Sequence, residues 1–421
     1  MHSIEGSTVP RPASGFRALP SVAAALVVLA GVTSGYGAQT IEGRGVPGMT
    51  PVDLASLAVG PFPSAPVDYE PKLETKSDVF AIESRRLFGY LVAPYEVDSE
   101  MAALDTTRIV SASGSVFSDS LGALPEQFGP IAERNQLIAG VVTTRSNQKL
   151  RAMRNMSIVL LRFPSEQAAR SAATEFDQAM DELTPNRHAL DITGHEDVLA
   201  STANDQKGYL FTTRGPMVIM TMSTVPEPDA PALATQLRKM LELQLERLAR
   251  FVPTPIDQIL DLPANPDGVM RLALPPLPAG GSPTSQRAQP VGVYDAAAQM
   301  HFEPRGAELK TALTNTGVDV VARNDATVYR TRDLDSAFRL QRALTAPQDD
   351  EQHFASPPGI IDAQCLQRDA DAFDPRYDYT CVLVHGRYVA VVEADSLPGR
   401  LFDPSLYQRV AAQYSILARG A

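Results

Sequence analysis

The stretch Gly208-Tyr-Leu-Phe-Thr-Thr213, Arg214-Gly215-Pro216, Met217-Val-Ile-Met-Thr-Met222 decides how we interpret the fold of this chain. Its two apolar, β-prone runs are separated by a Gly-Pro turn, which is typical of a β-hairpin. A turn rich in proline and aspartate follows, and then an amphipathic segment from Ala232 to Phe251. The spacing of the leucines in that segment predicts a helix. The region therefore predicts a hairpin followed by a helix.

The same order of elements returns near the C-terminus. There, Tyr379-Thr-Cys-Val-Leu-Val384 and Arg387-Tyr-Val-Ala-Val-Val392 flank His385-Gly386, and residues 403–418 supply the helix. Setting Arg214-Gly215 on His385-Gly386 superposes both pairs of apolar runs. With a two-residue gap, the superposition also matches the helix positions Leu233, Leu237 and Leu241 with Leu406, Val410 and Tyr414. Apolar periodicity by itself carries little information, because all strand–helix patterns look alike.

A second recurrence lies upstream of each hairpin. The run Ala326-Thr-Val-Tyr-Arg330 resembles Ile158-Val-Leu-Leu-Arg162, and each is followed by a capping residue, Asp333 or Ser165, and a helix. The shared order favours an internal duplication. We therefore predict an α+β fold with two related tandem domains. Each domain is a mainly antiparallel sheet packed with helices on one face, in the order strand–helix–hairpin–helix.

Prolines and glycines suggest where the domains begin and end, because proline fixes φ and removes a backbone N–H. The boundaries that we predict are a secretory signal segment over 1–38, a Pro/Gly-rich tether over 39–72, an N-terminal domain over 73–252, a Pro-rich linker over 253–290, and a C-terminal domain with a disulfide over 291–421. The length of 421 residues is consistent with two or three domains.

The net charge limits the class of partner. The formal net charge is −12 at pH 7. An acidic protein repels phosphate backbones and anionic lipid headgroups. We therefore expect no nucleic-acid partner, and we expect membrane association only through the N-terminal segment if that segment is not cleaved.

The N-terminal segment has the order of parts found in an export signal. Two arginines precede an apolar run from Leu19 to Val32, and small residues follow as far as Ala38. The run is shorter than the ~20 residues of a membrane-spanning helix, which favours a secretory signal; an uncleaved anchor is the alternative. Leu29-Ala-Gly31 begins a bacterial lipobox, but Val32 stands where a lipid-bearing cysteine belongs. We predict export to the cell envelope or beyond, without a lipid at that position.

The two cysteines, Cys365 and Cys381, lie close together late in the chain. In an exported protein such a pair favours a disulfide, because that compartment is oxidising. A metal pair and a reactive thiol are the alternatives. Two cysteines without well-placed histidines are too few for a structural zinc site.

Three features together resemble a known family. They are the signal with Leu29-Ala-Gly31, the stretch Ser84-Arg-Arg-Leu-Phe-Gly-Tyr-Leu-Val-Ala-Pro-Tyr-Glu-Val-Asp98, and the two-domain layout. The chain resembles an actinobacterial family of uncharacterised exported lipoproteins with two tandem α+β domains, over most of residues 50–421. The resemblance implies location and architecture and no catalytic residue. The arrangement of elements is also similar to that of the extracellular sensor domains of mycobacterial receptor kinases, which is an analogy of fold alone.

The sequence contains no motif that assigns chemistry. His195-Glu196 begins the zinc motif H-E-x-x-H, but Leu199 occupies its fifth position. The serine-rich residues 111–120 contain no G-x-S-x-G turn, and the acidic loops late in the chain do not have EF-hand spacing. His385, at the predicted hairpin tip, is expected to be exposed to solvent. We therefore predict no catalytic residue, no cofactor and no metal ligand.

Export, duplication and the lack of a catalytic motif favour a non-enzymatic envelope protein that binds an unknown ligand or protein partner in the cleft between its domains. Four tyrosines are candidates for lining that cleft, with packing in a core as the alternative for each: Tyr90, Tyr95, Tyr379 and Tyr388. One alternative is an envelope hydrolase whose residues meet only in space, with a serine of residues 111–120 close to a histidine and a carboxylate. Another is a structural or assembly protein with a solid domain interface.

Overall fold

The structure is a computed structural model, and it describes residues 38–41, 44–71, 73–112, 116–117, 123–277, 290–369, 377–397, 399 and 401–421. The predicted signal segment, 1–38, lies outside these residues except for its last one. The first described element is a short hairpin of strands β1 (Ala38–Ile41) and β2 (Arg44–Pro47).

The first unit, residues 76–248, is built on a seven-stranded antiparallel sheet in the order β3-β4-β5-β9-β8-β7-β6. Its strands are β3 (Ala103–Ile109), β4 (Ala139–Ser146), β5 (Asn155–Arg162), β6 (His188–Ala189), β7 (Leu199–Thr202), β8 (Lys207–Arg214) and β9 (Met217–Thr224). Its helices are α1 (Lys76–Phe88), α2 (Pro94–Val97), α3 (Phe128–Arg134), α4 (Glu166–Leu183) and α5 (Ala230–Leu248).

The second unit, residues 292–420, repeats this plan. Its sheet has the order β10-β11-β12-β16-β15-β14-β13, which is the order of the first sheet strand for strand. Its strands are β10 (Gly292–Tyr294), β11 (Val320–Arg323), β12 (Thr327–Arg330), β13 (Glu351–Phe354), β14 (Gln364–Arg368), β15 (Tyr379–His385) and β16 (Tyr388–Ala394). Its helices are α6 (Ala296–Gln299), α7 (Gly306–Asn315), α8 (Leu334–Leu344) and α9 (Ser405–Gly420). Outside the two units, the described part of the chain also has 3-10 helices at Leu54–Ser56, Ile256–Asp261 and Pro266–Leu272.

Helices cover both faces of each sheet, which corrects the prediction that they lie on one face. In the central strand β5, Ile158 and Leu160 pack in the core that contains α1 and α5, whereas Val159 and Leu161 pack in the core that contains α3 and α4. Consecutive residues of a strand point to opposite faces. A strand that is apolar at every position therefore needs a helical layer on each side.

The helix starts agree with the capping residues in the sequence. The hydroxyl of Ser165 accepts a hydrogen bond from the Ala168 N–H at the start of α4, and the carboxylate of Asp333 does the same for the Ser336 N–H at the start of α8. The two hairpin turns also match. Gly215 and Gly386 both have φ of +56°, a value that glycine adopts without the steric cost that a Cβ would add.

One detail of the predicted superposition is wrong by about one helical turn. The side-chain amide of Gln244 in α5 bonds the backbone of residues 90 and 92, and that of Gln413 in α9 bonds the backbone of residues 272 and 274 in the same way. Aligning these glutamines matches Leu237, Leu241 and Leu248 with Leu406, Val410 and Leu417. A leucine-rich helix offers several registers that differ by a turn, and polar contacts decide between them.

Parts of the proline-rich segments pack against the second unit, whereas Ile259 of the predicted linker lies in a core of the first unit. From the predicted tether, Leu57 and Phe62 are buried in the core under α9. From the predicted linker, Met270 and Leu274 lie in the same core. Proline excludes these residues from a sheet, but it does not prevent their apolar side chains from being buried.

Within the described ranges, no helix combines the length and apolarity needed to cross a membrane.

Candidate functional site

A cavity of about 370 Å³ lies between the two units. The first unit contributes the end of α1, the short helix α2 and the end of α5, and the second unit contributes α6, α7 and the residues between them. The residues that line it are Gly89, Tyr90, Ala93, Tyr95, Glu96, Arg247, Arg250, Ala296, Ala297, Met300, His301, Lys310, Leu313 and Thr314. The predicted interdomain cleft therefore corresponds to a cavity, and its lining includes two of the four predicted tyrosines.

Glu96 links the two units at the wall of this cavity. Its carboxylate accepts hydrogen bonds from Arg247 of α5 at 2.8 and 3.1 Å and from the ammonium group of Lys310 of α7 at 3.1 Å. Burial by itself raises the pKa of Glu96, but the bonds from Arg247, the Ala93 N–H and Lys310 outweigh burial and lower the pKa to about 2. The carboxylate is therefore charged under all ordinary conditions, as is required to hold both cations.

The tyrosines give the cavity an aromatic surface. Tyr90 packs edge-on against Phe251, with 4.9 Å between ring centroids. Tyr95 lies under the guanidinium of Arg145 at 5.0 Å, and burial raises the pKa of its hydroxyl to about 12. Both rings are half-buried. Aromatic rings held by packing on one side can offer a face or an edge to a ligand on the other.

His301 is the buried polar group of the cavity wall. Its Nε2–H donates to the Leu91 carbonyl at 3.1 Å, and its Nδ1 has no hydrogen-bond partner among the described residues. Burial, followed by the positive charge of Arg145, lowers the pKa of His301 to about 3. The ring is therefore neutral near pH 7, and Nδ1 can accept a hydrogen bond from a ligand.

Arg145 holds the second unit's part of the wall in place. It projects from β4, is fully buried, and donates to the carbonyls of Ala102, Met300, Glu303 and Pro304 at 2.7, 3.2, 2.7 and 3.3 Å. Three of these carbonyls belong to the second unit. Because one guanidinium bonds several turns of backbone, it fixes the segment that carries Met300 and His301.

The titration of His301 predicts a pH-dependent stability. A histidine with a lowered folded-state pKa binds its proton mainly when the protein unfolds, so stability should fall as the pH drops from 6.5 toward 3. The contribution is up to about 1.4 kcal/mol per pH unit. We expect His301→Gln, whose amide can keep the bond to Leu91, to flatten urea-unfolding free energies between pH 6.5 and 4.5.

Glu96 provides the internal control for that measurement. Its folded-state pKa is lowered, so its contribution to stability is lost only as the pH falls from 4.5 toward 2. Glu96→Gln should therefore alter the profile below pH 4.5 and leave the slope above it unchanged. An unaltered slope between pH 6.5 and 4.5 in His301→Gln would contradict the assignment of a buried neutral imidazole.

The other sequence-based candidates lie elsewhere. Tyr379 is buried in an aromatic group with Phe354 and Phe402, and Tyr388 begins β16. His385 is half-buried against Tyr414 rather than fully exposed, because α9 packs under the hairpin. Most of the serine-rich residues 111–120 lie outside the described residues.

Cys365 and Cys381 are joined by a disulfide between directly opposed positions of β14 and β15. In the part of the chain that the structure describes, no group of three or more histidine, cysteine, aspartate or glutamate residues is placed to hold a metal ion. Sequence analysis missed Arg145, Arg247, His301 and Lys310. None of them belongs to a motif, and only the packing of the two units brings them together.

The fold and the cavity define a protein of two tandem α+β units with a pocket at their interface. The family comparison gives the same division: residues 70–264 match the N-terminal domain, and residues 269–420 the C-terminal domain, of the domain of unknown function DUF7373. The chain belongs to the DUF7373 family. The comparison with curated proteins gave no match.

Among solved structures, the chain is similar to the extracellular domain of PknH from Mycobacterium tuberculosis. The identity is 12%, the TM-score is 0.27, and the match covers 38% of this chain and 96% of that one. A TM-score of that size carries no inference about function.

Proposed function

We propose that this chain is an exported, non-enzymatic protein of the cell envelope that binds a small organic anion in the cavity between its two units. The cavity itself is the observation that carries the proposal. It has room for a small organic molecule, it lies at a domain interface, and it combines aromatic and charged groups. A solid interface would instead favour a structural role.

The charges of the wall indicate an anion. Arg247, Arg250 and Lys310 are cationic and Glu96 is anionic, so the formal balance is 3 − 1 = +2. This local excess stands out in a chain whose formal net charge is −12. Arg250 and Lys310 are exposed, and each already bonds a carboxylate, Glu246 or Glu96. Their remaining N–H groups can bind a carboxylate, sulfonate or phosphate.

The other groups of the cavity wall indicate which further chemical groups the ligand carries. Tyr90 offers an aromatic surface to an apolar or aromatic portion, and the Nδ1 of His301 can accept a hydrogen bond from a ligand N–H or O–H. Export is supported by the N-terminal signal pattern and by the disulfide, since disulfides persist in oxidising compartments.

An aromatic anion should report on this cavity. We expect the fluorescent probe 8-anilinonaphthalene-1-sulfonate to bind the folded full chain saturably near one equivalent. The double variant Arg250→Glu/Lys310→Glu should weaken binding at least about tenfold, because it replaces attraction by repulsion at the mouth. The measurement is a fluorescence titration at fixed ionic strength.

Arg238→Glu is the matched control, because Arg238 is a partly exposed arginine of the same helix, α5, outside the cavity lining. Its titration should coincide with that of the unmodified protein. Equal affinity of the double variant and the unmodified protein would contradict the proposal. Native mass spectrometry of protein purified from its source would then identify the natural occupant.

A further inference from the structure

The internal repeat allows one unit to serve as the reference for the other. The matched hairpin turns at Gly215 and Gly386 align β8 and β9 with β15 and β16. Cross-strand pairing extends the alignment, because Arg162 pairs with the first residue of β9 and Arg330 with the first residue of β16. Every position of β11, β12, β15 and β16 therefore has a counterpart in the first sheet.

One sheet face differs in chemical character between the units. In the first unit, the face under α3 and α4 is an apolar core that includes Val142, Val159, Leu161, Tyr209 and Met222. Their counterparts in the second unit are Arg323, Thr327, Tyr329, Thr380 and Glu393. All five of these residues line a separate cavity of about 110 Å³.

The helix beside this cavity, α8, is shorter than its counterpart α4. Both helices begin at equivalent caps, Ser165 and Asp333, but α4 has 18 residues and α8 has 11. In the first unit, the last turns of α4 bring Met180 over the sheet. In the second unit, α8 has ended before that point, at Leu344, which lines the cavity.

Arg323 lines this cavity as an unpaired buried cation. It is 7% exposed, and no hydrogen bond or ion pair with a described residue reaches its guanidinium, which stacks over the ring of Phe302 at 4.7 Å. Burying a charge without a partner is costly, so natural proteins retain such a group where something else compensates it. A planar guanidinium is suited to binding a carboxylate through two parallel hydrogen bonds.

Whereas Arg323 supplies hydrogen-bond donors to the cavity, Gln299 and Glu303 supply hydrogen-bond acceptors. The amide nitrogen of Gln299 donates to Glu303 at 2.6 Å, and the hydroxyl of Tyr329 also donates to Glu303. The Oε1 of Gln299 is buried and has no partner among the described residues, so it can accept a hydrogen bond from a ligand.

The charge of the wall excludes a simple anion. Three glutamates and two arginines, Arg305 and Arg323, line the cavity, which gives a formal balance of 2 − 3 = −1. A ligand that carries both a carboxylate and an ammonium group matches this wall better than phosphate does. The volume holds roughly seven to ten water-sized groups, which is the size of a small amino acid.

We propose that this cavity in the second unit is a binding site for a small zwitterion of the amino-acid class, with its carboxylate on Arg323 and its ammonium group toward Gln299 and Glu303. The site is separate from the interdomain cavity and does not depend on the function proposed for that cavity. The first unit lacks the charged groups of this site, because its five counterpart residues, Val142, Val159, Leu161, Tyr209 and Met222, are all uncharged.

The test is a thermal-shift titration of the full chain with glycine, L-alanine, L-serine and L-aspartate, and with acetate and ethylamine as half-ligands. At a hundredfold excess over Kd, at least one amino acid should raise the Tm by on the order of 3–8 °C. The two half-ligands should have little effect at the same concentration. No shift with any of the four amino acids, or an equal shift with acetate, would overturn the proposal.

Two variants based on the repeat locate the binding. Arg323→Val introduces the valine that the first unit has at the equivalent position, Val142. Because it removes a buried unpaired charge, it should raise the Tm of the ligand-free protein, and it should abolish the Tm shift caused by the amino acids. Thr380→Tyr retains Arg323 and fills the cavity with the tyrosine of the first unit, so it should also abolish the shift. Arg339→Val, on the exposed side of α8, is the control and should preserve it. An amino-acid shift that persists in Arg323→Val contradicts the assignment.

Discussion

Arg145→Met is expected to lower the free energy of unfolding by about 3 kcal/mol. The substitution leaves the carbonyls of Ala102, Met300, Glu303 and Pro304 without the donor that they share. Removing a buried cation recovers part of this loss, because burial disfavours the charged guanidinium and lowers the pKa of Arg145. The chain contains no tryptophan, so urea unfolding followed by far-UV circular dichroism is the suitable measurement.

The position of Arg145 makes the expected loss specific to the interface. Because three of the four carbonyls belong to the second unit, the variant should also weaken binding of 8-anilinonaphthalene-1-sulfonate, as the segment with His301 loses its support. Arg108→Met is the matched control, since Arg108 is exposed on the adjacent strand β3, and its stability should change by less than about 0.5 kcal/mol. A similarly small change in Arg145→Met would contradict the role assigned to it.

The double variant Cys365→Ala/Cys381→Leu is expected to lose about 3 kcal/mol of stability, because the disulfide restricts a loop with a sequence separation of 16 in the unfolded chain. Alanine and leucine are chosen because the first unit has them at the equivalent positions. Ala200 and Leu210 are directly opposed there, as the two cysteines are in the second unit. The variant therefore keeps an apolar pair in the core while it removes the covalent link.

Reductant separates the covalent contribution from the packing contribution. In urea unfolding, dithiothreitol should lower the stability of the unmodified protein toward that of the double variant and should leave the double variant unchanged. If the oxidised protein and the double variant unfold at the same urea concentration, the disulfide does not stabilise the second unit. The first unit already shows that this sheet folds without a covalent link, since it has Ala200 and Leu210 at those positions.

The sequence predicts elements well where a local physical cause operates. Consecutive apolar, β-branched residues predict β4 and β5, and Ser165 and Asp333 predict the starts of α4 and α8 through their capping side chains. The hairpins follow from their glycines. The edge strands β3, β6 and β13 were not predicted, because strands that are partly exposed lack a sustained apolar pattern.

The two candidate sites were less accessible to prediction than the fold. Tyr90 and Tyr95 were candidates because of their chemistry, but so were Tyr379 and Tyr388, which do not line the interdomain cavity. Nothing in the local sequence distinguishes these two pairs. Arg323 stands in the short strand β11, and no local pattern marks it as a binding residue. It becomes a candidate only when the two units are aligned, because the first unit has Val142 at that position.

The sequence alone therefore determined the tandem α+β plan and the pairing of the cysteines as a disulfide, because alternation, capping and turn geometry act between residues that are near in the chain. The tertiary structure alone decided that helices cover both faces of each sheet. It also decided that Arg145 bonds the backbone of Glu303 and that Glu96 bonds Lys310, each across the two units. It further decided that Arg323 lines a cavity beside the end of α8. The two bonds across the units join residues 158 and 214 positions apart, and hydrophobic periodicity does not specify which distant surfaces meet.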